Sequence, residues 1–129
     1  IKLIDIKTYL EDSIVFSQKE RPIIINFWAT WCKPCIIEME SFKNLYSQTK
    51  NDVDFYFLSN EPLEKQKEFI LEKQWELPFY YFEDSILKQL TYEQLPTTYI
   101  IKNEIIFIKH VGKSDWSSKN VVDYLHGLK

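Results

Sequence analysis

The chain has 129 residues, 45% of them apolar, and a formal net charge of −3 at pH 7. A chain of this size buries about two thirds of its unfolded surface on folding, so we expect a single domain over residues 1–129. Its charges form no basic block, which argues against nucleic acid as a partner, and no run approaches the roughly 18 apolar residues of a transmembrane helix.

The first part of the chain predicts a short strand, a helix and a buried central strand. Weak alternation over residues 1–5 indicates an edge strand. Apolar residues recur at helical steps over residues 7–19, and this predicted helix ends before Arg21-Pro22 because the residue that precedes a proline avoids helical geometry. The run Ile-Ile-Ile-Asn-Phe-Trp, which starts at Ile23, predicts the central strand of a sheet.

The middle of the chain predicts further strands joined by helices. A helix is expected from Cys32 or Lys33 to about Thr49, followed by a second buried strand over residues 53–59. A helix between two buried strands indicates that the strands pair in parallel through a right-handed crossover. The next expected elements are a helix over residues 61–74, a brief strand over residues 78–82 and a short helix over residues 84–90.

A β-hairpin and a helix close the chain. Residues 97–102 and 105–110 predict the two strands of the hairpin. Glu104 lies at the turn, where tight two-residue turns favour glycine, so we expect a looser or bulged turn. The closing helix is expected over residues 117–128.

Two residues separate the two cysteines of the chain, which lie where the central strand passes into the long helix. The thiolate is the reactive form of cysteine, and a helix N-terminus together with this spacing lowers a cysteine pKa from about 8.5 to about 7 or less. In thiol-disulfide exchange one sulfur attacks and a second resolves the mixed disulfide. We expect the sulfur of Cys32 to project beyond the helix as nucleophile, and Cys35 to be the shielded resolving thiol. Lys33 places a cation beside the thiolate, and Pro34 suits the first helical turn.

Two other interpretations of the cysteine pair remain open, namely half of a zinc site and two inert core thiols. A structural zinc site needs two further ligands, and the only histidines, His110 and His126, do not lie at a ligand-like spacing. We therefore expect no metal, and dithiol-disulfide exchange by the two cysteines needs no organic cofactor.

The stretch Asn-Phe-Trp-Ala-Thr-Trp-Cys-Lys-Pro-Cys, followed downstream by Leu-Pro-Thr-Thr-Tyr-Ile-Ile, resembles the thioredoxin-fold thiol-disulfide oxidoreductases. The resemblance is closest to their TlpA/ResA-like branch and extends over roughly residues 23–128. It implies an α/β fold of the thioredoxin-like three-layer α/β/α type with a central mixed sheet. It also implies exchange of the dithiol with protein thiols and disulfides. The alternative is a thioredoxin-like binding or scaffold module that has kept its dithiol without turnover.

The resemblance also bears on partners and location. It implies protein thiols or disulfides and an upstream redox partner, and an extracytoplasmic site in the periplasm or cell envelope. Relatives of this type are often tethered by an N-terminal helix. The sequence given carries no leader or anchor, so membrane association is expected only through an N-terminal anchor that this sequence does not contain. We expect a monomer.

Glu38 is the third candidate for a catalytic residue. It lies three residues after Cys35, on the same side of a helix, where a carboxylate could exchange a proton with that thiol. TlpA/ResA-like proteins carry a glutamate at the matching position, which favours this role over that of a solvated helix residue. Ordinary thioredoxins have a buried aspartate where this chain has Asn26, and an amide cannot exchange a proton at neutral pH.

The resemblance further implies that Pro96 is the cis-proline of the fold, where an ordinary trans proline at the start of an edge strand is the alternative. The backbone of Leu95 would then pair with an extended substrate segment, as in β-strand addition. Trp31 is expected at the exposed rim and Trp28 as packing support. The substrate-binding residues are therefore predicted to be Trp31, Lys33, Pro34, Leu95, Pro96 and Thr97.

Overall fold

The computed structural model describes residues 2–14, 16, 20–83 and 90–128, which form one seven-stranded sheet and three helices. The strands are β1 (Lys2–Asp5), β2 (Glu11–Ser13), β3 (Ile23–Phe27), β4 (Asp54–Ser59), β5 (Phe79–Tyr81), β6 (Thr97–Lys102) and β7 (Ile105–Val111). The helices are α1 (Lys33–Thr49), α2 (Leu63–Lys73) and α3 (Lys119–Gly127). The strand order is β2-β1-β5-β4-β3-β6-β7.

The centre of the sheet is β3, as the apolar run from Ile23 predicted. All five of its residues are buried, because strands that carry other strands on both sides and side chains on both faces meet no solvent. β3 pairs in parallel with β4 and antiparallel with β6, and β4 pairs in parallel with β5. The sheet is therefore mixed, and the α1 and α2 crossovers place the carboxyl ends of three parallel strands at one edge.

Apolar side chains fill both faces of the sheet. One core cluster joins one face to the helices and includes Met39 and Phe42 of α1, Ile70 of α2 and Leu125 of α3. The second cluster lies on the opposite face, where Ile23, Ile25 and Phe27 of β3 contact residues such as Leu3 and Phe82. Successive residues of β3 thus feed two different cores, which is the two-residue periodicity of a strand.

The helix expected over residues 7–19 is wrong in the part that the structure describes, because the chain turns back there as a β-hairpin. The Asp5 side chain accepts hydrogen bonds from the backbone N–H of Lys7 and of Thr8, at 2.8 and 3.2 Å. Tyr9 adopts a φ of +60°. Hydrogen bonds from backbone N–H groups to a nearby aspartate side chain compete with helix formation. β2 then pairs antiparallel with β1. As a result β1 lies between β2 and β5, so the expectation that it is an edge strand is also wrong.

The turn between β6 and β7 is also tighter than expected. Lys102 pairs with Ile105 across a loop of two residues, Asn103 and Glu104, with φ values of +50° and +67°. Two left-handed residues characterise the tight turn that matches the twist of a hairpin. The irregularity lies instead one step into the ladder, where the register shifts between Ile100 and Ile101.

The remaining elements agree with the sequence to within a few residues. α1 begins at Lys33 and ends at Thr49, as expected. The short helix expected over residues 84–90 falls almost entirely outside the described residues. No helix in the described part of the chain is both long and apolar enough to cross a membrane.

Candidate active site

The two cysteines form a disulfide at the N-terminus of α1, directly beyond the carboxyl end of β3. Cys32 is the N-cap of the helix, and its Sγ accepts a hydrogen bond from the backbone N–H of Cys35 at 3.3 Å. Pro34 occupies the first helical turn, where no intrahelical donor is lost. The unpaired N–H groups and the partial positive charge of a helix start favour an anion at this point.

The expected difference in exposure between the two sulfur atoms is not found. Cys32 is 3% exposed and Cys35 is fully buried, so the expectation of a projecting Cys32 sulfur is wrong for the disulfide-bonded protein. The physical reason is that the Cys32 side chain turns back over the helix start to bond with Cys35. Next to it Trp31 is 71% exposed, and Lys33 and Pro34 are exposed as well. The rim of the site is therefore open to a partner, whereas the sulfur pair lies beneath it.

Glu38 is buried, one helical turn beyond Cys35, and it is not a solvated helix residue. Its Oε1 accepts a hydrogen bond from Asn26 Nδ2 at 3.0 Å, and its Oε2 accepts one from Trp116 Nε1 at 3.0 Å. Burial raises the pKa of Glu38, and these hydrogen bonds, together with one from the Ser114 backbone, offset only part of that effect. The carboxyl group therefore holds a proton more tightly than an ordinary glutamate does.

Asn26 connects Glu38 to the neighbouring strand. Its Nδ2 donates a second hydrogen bond to Thr98 Oγ1 on β6, at 2.9 Å, and both side chains are fully buried. The amide is thus a donor aimed at Glu38. An amide has no proton to exchange at neutral pH, so Glu38 is the titratable member of this hydrogen-bonded pair.

The loop between β7 and α3 contacts the other carboxylate oxygen of Glu38, and sequence reasoning missed its contribution. Besides the Trp116 contact, the backbone N–H of Ser114 donates to Glu38 Oε2 at 3.2 Å. The backbone N–H of Trp116 donates to Ser41 Oγ at 3.0 Å, which fixes the loop to α1. Glu38 also lines a groove, shared with Lys113 and Asp115, that opens to solvent. No local sequence signal connects Trp116 to a glutamate 78 residues earlier.

A second buried carboxylate, Glu61, holds the segment that leads into the cysteines. Its Oε1 accepts from the Thr30 backbone N–H at 2.8 Å, and its Oε2 accepts from Thr30 Oγ1 at 2.7 Å. Ser59 donates to the same carboxylate at 3.0 Å, and Lys65 lies 3.3 Å away. Burial acts to raise the pKa of Glu61, but these contacts outweigh it, so the pKa lies below its ordinary value. Its place after the buried strand β4, at the same sheet edge as the dithiol, could have drawn attention to it.

The remaining predicted substrate-binding residues lie at the start of β6, beside the end of β3. Thr97 pairs with Phe27 in the ladder, so the Leu95-Pro96 segment reaches the same sheet edge as the cysteines. The Leu95–Pro96 peptide bond is cis, as the resemblance implied. Leu95 is half-buried, whereas Pro96 and Thr97 are buried, and Thr97 Oγ1 donates to the Gln94 carbonyl at 2.6 Å.

His110 and His126 lie at a strand end and at a helix end, as expected, and they do not approach the cysteines as a pair. His110 packs edge-on against the ring of Trp116, and His126 lies 3.8 Å from Asp52. Within the described ranges, no three histidine, cysteine, aspartate or glutamate side chains group closely enough to hold a metal ion.

Comparison with curated proteins finds similar bacterial sequences. The chain is 34% identical over 107 residues to thioredoxin-like protein YneN of Bacillus subtilis, which covers 79% of this chain and 63% of that protein. It is 30% identical over 112 residues to thiol-disulfide oxidoreductase ResA of Bacillus cereus, which covers 83% of this chain and 63% of that protein. The chain thus spans a little less than two thirds of the length of these relatives. The resemblance to the TlpA/ResA-like branch is confirmed by these matches.

Solved structures and a family match complete the comparison. StoA from Bacillus subtilis superposes with a TM-score of 0.75 at 17% identity, covering 99% of this chain and 94% of StoA. A putative thiol-disulfide oxidoreductase from Bacteroides vulgatus superposes with a TM-score of 0.78 at 22% identity, covering 100% and 92% of the two chains. These likenesses confirm the predicted thioredoxin-like fold. Residues 6–110, most of the chain, match the model of the AhpC/TSA family, so the chain belongs to this family.

Proposed function

We propose that this protein is a thiol-disulfide oxidoreductase that exchanges its Cys32–Cys35 pair with thiols and disulfides of other proteins. The observation that carries the proposal is the Cys32–Cys35 disulfide at the N-terminus of α1. A dithiol in that position has one sulfur whose thiolate is stabilised by the helix start and a second sulfur within bonding distance to resolve a mixed disulfide. The similarity to proteins named thiol-disulfide oxidoreductase supports the same activity.

In the reducing direction, the Cys32 thiolate attacks one sulfur of a substrate disulfide. The substrate S–S bond breaks, its other sulfur leaves as a thiolate, and a mixed disulfide with Cys32 forms. Cys35 then loses its proton and attacks the Cys32 sulfur, which releases the second substrate thiolate and forms the intramolecular disulfide. Two electrons have passed from the dithiol to the substrate, and the same steps in reverse oxidise a substrate dithiol.

Glu38 is the group we assign to the proton of Cys35. Its position one turn along the same face of α1, its burial and its raised pKa support this role. A raised pKa brings a carboxyl group nearer to the pKa of a thiol, and a smaller difference between the two favours proton exchange. Asn26 donates to Glu38 and has no proton to exchange, so it is assigned a positioning role.

The substrate segment is proposed to lie across the rim of the site. Trp31, Lys33 and Pro34 are exposed around the sulfur pair and supply an aromatic anchor, a cation and an apolar contact. The backbone of Leu95 pairs with the extended substrate segment. Pro96 and Thr97, which are buried, are proposed to set the position of that backbone.

The resemblance to TlpA/ResA-like proteins also supports a proposal about the oligomeric state, the compartment and the redox partner. Residues 1–129 act as a single thioredoxin-like domain and as a monomer, in an extracytoplasmic compartment, with an upstream redox partner that returns the dithiol to its starting state. Oxidising compartments are where protein disulfides persist, which is the substrate class this site requires.

The activity is tested by reduction of insulin with dithiothreitol as electron source. Wild-type protein is expected to accelerate the reaction, Cys32→Ser to abolish the acceleration, and Cys35→Ser to accumulate a mixed disulfide with the substrate. Reduced wild-type protein is expected to be alkylated by iodoacetamide at Cys32 before Cys35. The proposal fails if wild-type protein and Cys32→Ser reduce insulin at the same rate.

The low exposure of Cys32 favours one alternative, a thioredoxin-like binding or scaffold module that has kept its dithiol without turnover. A thiol that stays buried after reduction would react slowly with alkylating reagents at neutral pH. This module would bind its partner equally well with and without the cysteines, so partner binding that survives Cys32→Ser in the absence of insulin reduction would favour it.

A further inference from the structure

Trp116 packs against two other rings, which restrict its orientation. The Trp116 ring stacks on the ring of Phe42 in α1, with centroids 5.2 Å apart. The ring of His110 in β7 meets the Trp116 ring edge-on, with centroids 5.6 Å apart. The side chain is 4% exposed. In this orientation the indole N–H is aimed at Glu38 Oε2, at 3.0 Å.

The Glu38 carboxylate is the acceptor in three hydrogen bonds. Asn26 donates to Oε1, and the Trp116 side chain and the Ser114 backbone donate to Oε2. Donors to a carboxylate favour its ionised form, whereas burial favours its protonated form. Of the two side-chain donors, Trp116 is the one that belongs to the solvent-facing loop beside the groove through which Glu38 meets water.

The charged and titratable groups near Glu38 come from three elements. They are Cys35 and Glu40 on α1, His110 on β7, and Lys113 and Asp115 on the loop. The neighbouring strands β3 and β6 contribute the uncharged side chains of Asn26 and Thr98. Among these groups, His110 acts on the pKa of Glu38 in the same direction as the hydrogen bonds, towards a lower value.

We infer that Trp116 is a positioning residue for the redox reaction: its indole N–H fixes the Glu38 carboxylate and holds it ready to accept the proton of Cys35. This inference rests on the proposed function, because it assumes that Glu38 exchanges that proton. If the role of Trp116 were purely structural, Trp116→Phe would leave the protonation of Glu38 unchanged. Phenylalanine keeps an aromatic ring at this position and lacks the N–H that contacts Glu38. The two roles of Trp116 are thus separable by experiment.

The experiment measures the protonation of Glu38 in the oxidised protein, where the cysteines do not titrate. Glutamate is labelled with carbon-13 at its carboxyl carbon, and the Glu38 signal is assigned by its loss in Glu38→Gln. Trp116→Phe is expected to raise the pKa of Glu38 by about one unit, because a hydrogen bond to a charged group is lost. Trp75→Phe is the matched control, since Trp75 is a buried tryptophan of the same core cluster that packs on Trp28 and Phe79. It is expected to leave the pKa of Glu38 unchanged.

A second measurement follows the rate of insulin reduction against pH. Its acidic limb is expected to move to higher pH in Trp116→Phe by the same amount as the pKa of Glu38. If Trp116→Phe does not fold, the isosteric analogue benzothienylalanine at position 116 keeps the ring contacts with Phe42 and His110 and removes the N–H.

An unchanged pKa of Glu38 in the folded variant overturns the inference. A shifted pKa without a shifted rate profile also overturns it, because the carboxylate would then take no part in the reaction. The proposed function has its own separate criterion, since it fails only if Cys32→Ser keeps wild-type activity.

Discussion

Glu61 is expected to stabilise the protein through the segment that leads into the disulfide, and Glu61→Ala tests this. The carboxylate accepts two hydrogen bonds from Thr30 and one from Ser59. Hydrogen bonds to a charged group contribute about 1.5–3 kcal/mol each when a partner is removed. They share one carboxylate, and Thr30 is only partly buried, so we expect a combined loss of about 3 kcal/mol in the free energy of unfolding and not the sum.

The assay is urea unfolding of the oxidised protein, with the slope of the transition checked for constancy between variants. Glu68→Ala on the exposed side of α2 is the control, and a change within about 0.5 kcal/mol is expected there. Because the folded-state pKa of Glu61 is lowered, its contribution is fully present above the unfolded pKa and is lost as the pH falls through the folded pKa. The difference between wild type and Glu61→Gln should therefore shrink in acid. A loss in Glu61→Ala no larger than that in Glu68→Ala refutes the reasoning.

Three further predictions concern the centre and the rim of the site. Since burial raises the pKa of Glu38, the folded protein binds the Glu38 proton more tightly than the unfolded chain does. Wild-type stability should therefore fall as the pH rises from about 4.3 through the raised pKa. The urea midpoints of Glu38→Gln should not show this fall over the same pH interval. Phe42 is fully buried and stacks on Trp116, so Phe42→Ala should lower the free energy of unfolding by about 3–5 kcal/mol. The same urea assay measures this loss, with a surface substitution as the control. Trp31→Ala should raise the KM for insulin while leaving the free energy of unfolding within about 0.5 kcal/mol, because its side chain is largely exposed; an unchanged KM would remove Trp31 from the substrate-binding rim.

The sequence predicted the position of the dithiol because every cue there is local. A continuous apolar run cannot be solvated, so Ile23–Phe27 forms the buried central strand. Pro34 and the periodic apolar residues after it define where α1 begins and which face is buried, including Met39 and Phe42. A cysteine pair between these two elements follows from chain order alone.

The helix expected over residues 7–19 shows where local pattern is insufficient. Tyr9, Leu10 and Ile14 lie at helical steps, but Tyr9 and Leu10 are exposed and only Ile14 is buried. The side-chain hydrogen bonds of Asp5 and the pairing of β2 with β1 decided the outcome. A weak amphipathic pattern does not decide the structure when strand pairing offers hydrogen bonds to the same backbone groups.

By itself, the sequence determined the central strand, the helix that follows it and the cysteine pair at their junction, since strand and helix periodicity and the cysteine spacing are properties of short segments. Only the tertiary structure decided which groups surround Glu38, how far the sulfur atoms are covered, and that Glu61 holds Thr30. These contacts join residues between 12 and 78 positions apart. Burial and hydrogen bonding at such distances depend on how the elements pack, and packing is a property of the whole chain that no short segment contains.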